Sequence, residues 1–374
     1  MQRALALARL ARGATSPNPP VGAVLVRDGE VVGEGYTQPP GQAHAEAMAL
    51  RQAGERARGA TLYVTLEPCC IYNRTPPCTS AIIAAGVAEA RLAAIDPNPR
   101  IGGRGVAELA AAGIRTSVAE GEEREQAREL MEAHARYITT GLPLVVAKYA
   151  MSLDGKIATR TGESQWISGP EARAYVHELR RGADAIAVGV NTVLRDDPHL
   201  TARNERDEPY PRQPLRIVLD DYGRTPPTAK VLQGPGKALL AVQRIHPQKK
   251  ATLDKLGVEV TELPSWRGAV DPSGPLRVDL RALLQLLGQR EVTSLLVEGG
   301  GTVLGSLLDA GLIDKVVAFV APALIGGADA PSAIMGAGIE RLADAVRLAR
   351  VRVERLGNDL VVTGYVRDPW AGTV

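Results

Sequence analysis

Short apolar runs alternate with helix-length amphipathic stretches along this chain, and the alternation stops once and then restarts. A short run bounded by turn residues and followed by a helical pattern is the signature of sheet strands covered by helices. In the first part, strands are expected at 21–26, 31–32, 61–66, 92–95 and 114–118. The first two are joined by an Asp28-Gly29 hairpin turn. Helices are expected at 3–12, 43–57, 106–112 and 122–136, with another starting after Pro76-Pro77 and stopping at Gly86. Thr139-Thr140-Gly141-Leu142-Pro143 breaks the pattern. A second series then runs through strands at 144–150, 185–188, 215–219, 238–242, 258–263, 294–297 and 316–320. It ends with antiparallel-looking strands at 351–356 and 360–366. These patterns predict two α/β domains, residues 1–141 and 142–374.

Composition narrows the class. Aromatic residues make up 3% and Phe319 is the only phenylalanine, so the core must be aliphatic. A net charge of +2 argues against a polybasic nucleic-acid binder and against an acidic disordered chain. The start resembles a signal peptide, but Arg9 and Arg12 interrupt its apolar stretch. No run approaches the roughly 18 apolar residues of a membrane span, so a cytoplasmic protein without a membrane partner is expected.

All three cysteines, Cys69, Cys70 and Cys78, fall in one short window. Three thiols cannot all pair with one another, and adjacent cysteines rarely bridge, so a disulfide scaffold is not expected. With His44 they offer a different chemistry. One His and two Cys, here His44, Cys69 and Cys78, supply three ligands to tetrahedral zinc and leave a fourth position for water. Cys78 follows two prolines at a predicted helix start, where the dipole favours thiolate. Glu46 lies two residues from His44; on a regular helix the two would diverge by about 200°. That suits a proton shuttle better than a second ligand. Zinc nucleobase deaminases combine H-x-E with P-C-x-x-C; here position 72 is Tyr, so the match requires a longer segment between the two cysteines.

That segment carries a resemblance. Thr65-Leu66-Glu67-Pro68-Cys69 and Arg74-Thr75-Pro76-Pro77-Cys78, with Thr15 to Gly22 and Asp96-Pro97-Asn98-Pro99, resemble the deaminase domain of the bifunctional riboflavin-biosynthesis deaminase/reductase family. The second half resembles that family's reductase domain. It does so at Lys148 to Lys156, Ser164 to Ser168, Thr192-Val193, Asp196-Asp197-Pro198, Val297 to Thr302 and Leu356 to Leu360. The resemblance implies a cytidine-deaminase-like three-layer domain followed by a dihydrofolate-reductase-like domain, one Zn2+, NADPH and a phosphoribosylaminopyrimidine substrate. It also implies roles for individual residues. Glu46 is catalytic and His44, Cys69 and Cys78 bind the metal. Coenzyme contacts fall on Ala150, Trp166, Thr192, Asp196 and the stretch Gly300, Gly301, Thr302, Val303, Leu304, Gly305 and Ser306. Substrate contacts fall on Asn18, Ser164, Arg180, Leu200, Arg203 and Glu298. A homo-oligomer is expected.

Two departures stand out. The family usually has His two residues after its first zinc-binding Cys and Gly two further on, where this chain has Ile71 and Asn73. After the Arg-Ile-Val-Leu-Asp run at 216–220 the family often has a small polar residue, and here it is Asp221. Facing the coenzyme 2′-phosphate, Asp221 would repel it and weaken NADPH preference; as a surface residue it would not. Three rival readings follow: a reductase with an impaired deaminase half, a nucleic-acid base deaminase with a fused domain, and a binding module whose zinc is structural with Cys70 as fourth ligand. The low aromatic content and near-neutral charge oppose the second, because stacking platforms and a basic groove are what single strands require.

Overall fold

The computed structural model describes residues 1–72, 75–266 and 276–372. Asn73 and Arg74 lie outside the described residues. The chain forms two compact units, Met1–Leu142 with Pro369–Val374, and Pro143–Asp368.

The first unit runs α1 (Gln2–Ala11), β1 (Gly22–Arg27), β2 (Glu30–Tyr36), α2 (Ala45–Ala53), β3 (Thr61–Val64), α3 (Cys78–Ala85), β4 (Glu89–Leu92), α4 (Arg104–Ala111), β5 (Arg115–Val118), α5 (Glu122–Leu130) and α6 (Glu132–Thr140). Its sheet has the order β2-β1-β3-β4-β5. β1 is antiparallel to both neighbours, whereas β3, β4 and β5 are parallel. Asp28 and Gly29, both at positive φ, make the expected hairpin turn. Scarce aromatics become intelligible here. α2 lies so close to β2 that a Cβ at Gly33 would stand 2.2 Å from the Ala49 carbonyl oxygen. Ala45, Ala49 and Ala53 form the buried face of that helix. Small residues on both sides set the seat of α2, and with it the helix N-terminus that carries His44 and Glu46.

Three differences from the sequence expectation have local causes. The expected helix over 43–57 ends at Ala53, because Gly54 takes φ 56° and a short 3-10 turn follows. The charged helix over 122–136 is two helices, broken where the fully buried Met131 leaves helical geometry at φ −110°, ψ 14°. The division at 141/142 assigned the C-terminus to the second half, but residues 369–374 belong to the first unit. Trp370, 4% exposed, joins that unit's aliphatic core, and its indole N–H donates to the Arg128 carbonyl at 3.0 Å.

The second unit runs β6 (Leu144–Ser152), α7 (Pro170–Gly182), β7 (Ala185–Gly189), α8 (Val190–Asp196), β8 (Leu215–Leu219), β9 (Ala238–Val242), α9 (Pro247–Lys255), β10 (Glu259–Glu262), β11 (Ser265–Trp266), β12 (Arg277–Val278), α10 (Leu280–Gln289), β13 (Ser294–Glu298), α11 (Gly301–Asp309), β14 (Lys315–Ala321), β15 (Ala349–Leu356) and β16 (Asp359–Tyr365). The nine-stranded sheet has the order β10-β9-β8-β7-β13-β6-β14-β16-β15. β10 through β14 in that order are parallel, and β16 and β15 are antiparallel additions. The chain moves outward from β7 to β10, then returns to insert β13 between β7 and β6. That reversal is a topological switch point, and the carboxyl ends of the strands there form the natural ligand crevice of an open parallel sheet. β13 ends at Glu298, followed by Gly299 and Gly300 at φ 86° and 79°.

Candidate active sites

In the first unit, His44 caps α2 in an extended conformation, and Glu46 sits in the first helical turn. His44 therefore escapes the helix geometry that would turn the two side chains apart. Cys69 follows β3 in a loop, and Cys78 opens α3 behind Pro77. The ligand atoms of His44, Cys69 and Cys78 all lie within 4.8 Å of one another. The His44 Nδ1 is 3.3 Å from the Cys78 Sγ and 3.7 Å from the Cys69 Sγ. The Cys78 backbone N–H donates to the Cys69 Sγ at 3.4 Å, and Thr75 Oγ1 meets the His44 Nε2 at 3.2 Å. Hydrogen bonding from the Cys78 thiol, helped by His44 and opposed by burial, lowers the Cys69 thiol into thiolate territory. One imidazole and two sulfurs, one already favoured as thiolate, make the donor set of a three-ligand zinc site with an open position. Cys70 is not among the described residues that could join the metal; the charges it feels are those of Glu108, Arg104 and Glu67.

The Glu46 carboxyl is buried and hydrogen-bonded to the Cys78 thiol. Burial first, then the Cys69 charge, pushes it up to about 7. A carboxyl poised near neutrality exchanges protons efficiently in both directions. Asn18 lies in the turn before β1, where its N–H bonds the Thr15 carbonyl. Glu67 belongs to a sequence motif that assigns it no role of its own. Buried beside Pro68-Cys69, it accepts from the N–H groups of Asp96 at 3.1 Å, Gly103 at 2.9 Å and Val106 at 3.1 Å. It thus ties the Asp96–Asn98 loop and the start of α4 to the ligand turn. The signal was an acid between an apolar strand and a proline.

In the second unit, several expected residues meet at the crevice. Arg180 on α7 forks onto Glu298 at the end of β13, at 2.6 and 2.9 Å, and its third nitrogen donates to the Thr201 carbonyl. Arg203 donates to Thr201 Oγ1 at 2.9 Å and to the Asp207 carbonyl. Leu200 beside them is buried at φ 53°. Burial alone would push Glu298 up, but Arg180 and then Lys148 outweigh it and hold the carboxyl at about 2. Lys148, 3.8 Å from Glu298, belongs to a sequence motif that assigns it no site role. A lysine within the apolar run of β6 was the available sign. Burial, reinforced by Arg180, lowers its ammonium.

The residues expected to contact the coenzyme lie on β6, α8, α11 with its preceding turn, and the loop before α7. Ser164 Oγ donates to Asp196 at 2.8 Å, so an expected substrate residue and an expected coenzyme residue are hydrogen-bonded. Trp166 is exposed, with the Arg173 guanidinium 4.9 Å from its ring centroid. Ala150 lies on β6 opposite Phe319. A Cβ at Gly300 would come within 3.4 Å of Thr192 Oγ1, and one at Gly189 within 2.8 Å of the Val303 side chain. Only Gly299 and Gly300 form the turn; residues 301–306 already belong to α11. The N–H groups of Val303 and Leu304 are taken by the Gly300 carbonyl, which leaves Gly301 and Thr302 as the first-turn amides without an intrahelical acceptor. Two glycines at positive φ before a helix N-terminus fit a phosphate-bearing coenzyme.

The fold and the two clusters define a class: a deaminase with a three-ligand zinc centre joined to an α/β reductase. Residues 1–94 match the cytidine and deoxycytidylate deaminase zinc-binding region, and residues 143–362 match the RibD C-terminal domain. The riboflavin biosynthesis protein RibD of Aquifex aeolicus is 44% identical over 362 residues, 97% of this chain and 96% of that protein. Solved RibD from Acinetobacter baumannii (form 1) superposes with a TM-score of 0.83 at 38% identity, covering 97% of both chains. A deaminase/reductase from Thermotoga maritima, described as acting on diaminohydroxyphosphoribosylaminopyrimidine and 5-amino-6-(5-phosphoribosylamino)uracil, superposes with a TM-score of 0.81 at 33% identity, covering 98% of this chain and 97% of that one. The chain belongs to the RibD family of bifunctional deaminase/reductases of riboflavin biosynthesis. Its cofactors are zinc in the first half and NADPH in the second. Among the described residues no helix is long and apolar enough to cross a membrane.

Proposed function

We propose that the first unit deaminates 2,5-diamino-6-(5-phosphoribosylamino)pyrimidin-4-one, and that the second reduces the ribosyl group of 5-amino-6-(5-phosphoribosylamino)uracil to ribityl. The observation that carries the first half is Glu46, buried against Cys78 beside a three-donor metal site. Held by His44, Cys69 and Cys78, zinc supplies Lewis acidity and water activation near neutral pH. Glu46 takes up the proton and returns it to the departing amine, a task for which a carboxyl near 7 is suited. Asn18 contacts the base.

In the second unit, NADPH supplies the hydride. The Gly299–Gly300 turn and the amides of Gly301 and Thr302 receive its diphosphate, flanked by Ala150, Trp166, Thr192 and Asp196. Residues Val303 to Ser306 support that turn as the first helical turns of α11. The Arg180 fork is committed to Glu298, so Arg180 keeps Glu298 ionised, and Arg203 carries the positive charge toward the ribose phosphate. Glu298 orients the sugar, with Ser164 and Leu200 shaping its site. The protein acts in the cytoplasm on this small molecule as a homo-oligomer. Support for oligomerisation is the outermost strand β15, whose Val351 and Val353 are exposed.

A coupled assay tests both halves. Given the diaminopyrimidinone ribotide and NADPH, the intact chain releases ammonia and oxidises NADPH in sequence. NADPH oxidation with the deaminated ribotide, but no ammonia release from the diaminopyrimidinone ribotide, would make it a reductase with a silent deaminase half. Deamination of single-stranded nucleic acid but not of the ribotide would replace the proposal.

A further inference from the structure

The notable departure at Asp221 is resolved by what that residue holds. Asp221 follows the last residues of β8, one strand removed from β13 and its glycine turn. Its carboxylate does not stand free: Oδ1 accepts the backbone N–H of Val278 at 2.7 Å. Its carbonyl accepts the N–H groups of Gln243 at 3.1 Å and Arg244 at 3.2 Å. One residue thus fastens two other segments, and each brings an arginine: Arg244 after β9, and Arg277 beside Val278 on β12. A third, Arg224, follows three residues along the chain.

These guanidinium groups are tied to the coenzyme surface. Arg277 donates to Ser306 Oγ on α11 at 3.2 Å. Arg224 donates to the Asn191 side chain at 3.0 Å, the residue before Thr192 on α8. Arg244 lies 5.0 Å from the ring centroid of Tyr222, whose hydroxyl donates to the Leu276 carbonyl next to Arg277. The neighbouring acid, Asp220, is fully buried and bonded through Oδ2 to the Thr225 N–H and hydroxyl. Arg277 and Arg224 act electrostatically on the Asp221 carboxylate, against the neighbouring Asp220, while the Arg244 backbone N–H bonds the Asp221 carbonyl.

We propose that Arg224, Arg244 and Arg277 bind the 2′-phosphate of the coenzyme, and that the Asp221 carboxylate, through the Val278 N–H, is the positioning residue for Arg277 among them. The proposal rests on the reading of the second unit as NADPH-dependent, and it reverses the sign expected of Asp221. A repelling carboxylate strengthens phosphate binding when removed. An assembling carboxylate weakens it when its acceptor is removed and not when only its charge is.

The test is calorimetric titration of the full chain with 2′,5′-ADP and with 5′-ADP, which needs no turnover. Wild type binds 2′,5′-ADP more tightly. Arg277→Gln and Arg224→Gln lower 2′,5′-ADP affinity by about tenfold or more, the scale of one charge-assisted contact, and leave 5′-ADP affinity unchanged. Asp221→Ala weakens 2′,5′-ADP binding, whereas Asp221→Asn, which keeps the acceptor, does not. Tighter binding by Asp221→Ala, or equal losses for the two nucleotides in the arginine variants, overturns the proposal. A wild type that binds neither nucleotide removes the coenzyme reading itself, whereas one that binds both equally removes only the 2′-phosphate site. Thermal melts separate a variant that fails to fold from one that fails to bind, and Arg244→Gln supplies an independent arm in either case.

Discussion

Replacing Arg180 by Met exposes the electrostatics of the reductase site as a stability measurement. Glu298 has a side chain 6% exposed, and its carboxyl sits at about 2 against an ordinary 4.5. At about 1.4 kcal/mol per pKa unit, that difference is worth about 3 kcal/mol of folding stability. The sign follows from the lowered folded value. The contribution is complete above the unfolded value near 4.5 and is lost as pH falls toward 2. Removing Arg180 leaves Glu298 with Lys148 at 3.8 Å and a weaker influence from His177, and breaking a buried pair from one side costs about 3–5 kcal/mol. For a unit of this size each kcal/mol moves the melting temperature by about 2–4 °C, so Arg180→Met should melt roughly 6–20 °C below wild type at pH 7. Between pH 5 and pH 3 its stability should fall less steeply than wild type, because the protected carboxylate is gone. The double variant Arg180→Met with Glu298→Gln should recover at least half of the loss, since no anion then remains buried. Calorimetric melts across pH read all three quantities. A single variant that melts with wild type and keeps its pH slope would refute the reasoning.

Cys78→Ser should lower the zinc content of the purified chain and abolish ammonia release while leaving coenzyme binding intact, read by metal analysis alongside nucleotide titration. Gly305→Ala should weaken coenzyme binding and destabilise by about 1–3 kcal/mol. Its added Cβ would stand 1.7 Å from the Met335 carbonyl oxygen, a backbone atom that cannot move cheaply. Trp370→Ala should cost about 3–5 kcal/mol in the first unit. It should hasten zinc loss on warming, with the reductase turnover number at 25 °C unchanged. Equal losses in both activities would contradict the assignment of Trp370 to the first unit's core.

Much of the architecture was legible because strand and helix periodicities are local. The break at 139–143 and the two series of apolar runs needed only neighbours in sequence. The zinc ligands were legible for a different reason: His, Cys and Cys have few alternative uses in one chain. What escaped was set by contacts distant in sequence. Trp370 reaches Arg128 across 242 positions, and no local pattern announces that a last segment completes the first core. Lys148 reads as an interruption of an apolar strand until Glu298 is brought beside it by the pairing of β13 with β6. The Arg180 fork was legible as a cation but not as one already occupied. Asp221 was legible as a departure, yet its sign depended on Val278, fifty-seven positions away.

The proposed function places two separable active sites in one chain, with Glu46 as the proton carrier of the first. The direct measurement is ammonia release and NADPH oxidation by Glu46→Gln, assayed with the diaminopyrimidinone ribotide and separately with its deaminated product. Ammonia release should fall by about 10²–10⁴-fold, with zinc content unchanged and reduction of the deaminated ribotide at the wild-type rate. Wild-type ammonia release by Glu46→Gln would contradict the account at its centre.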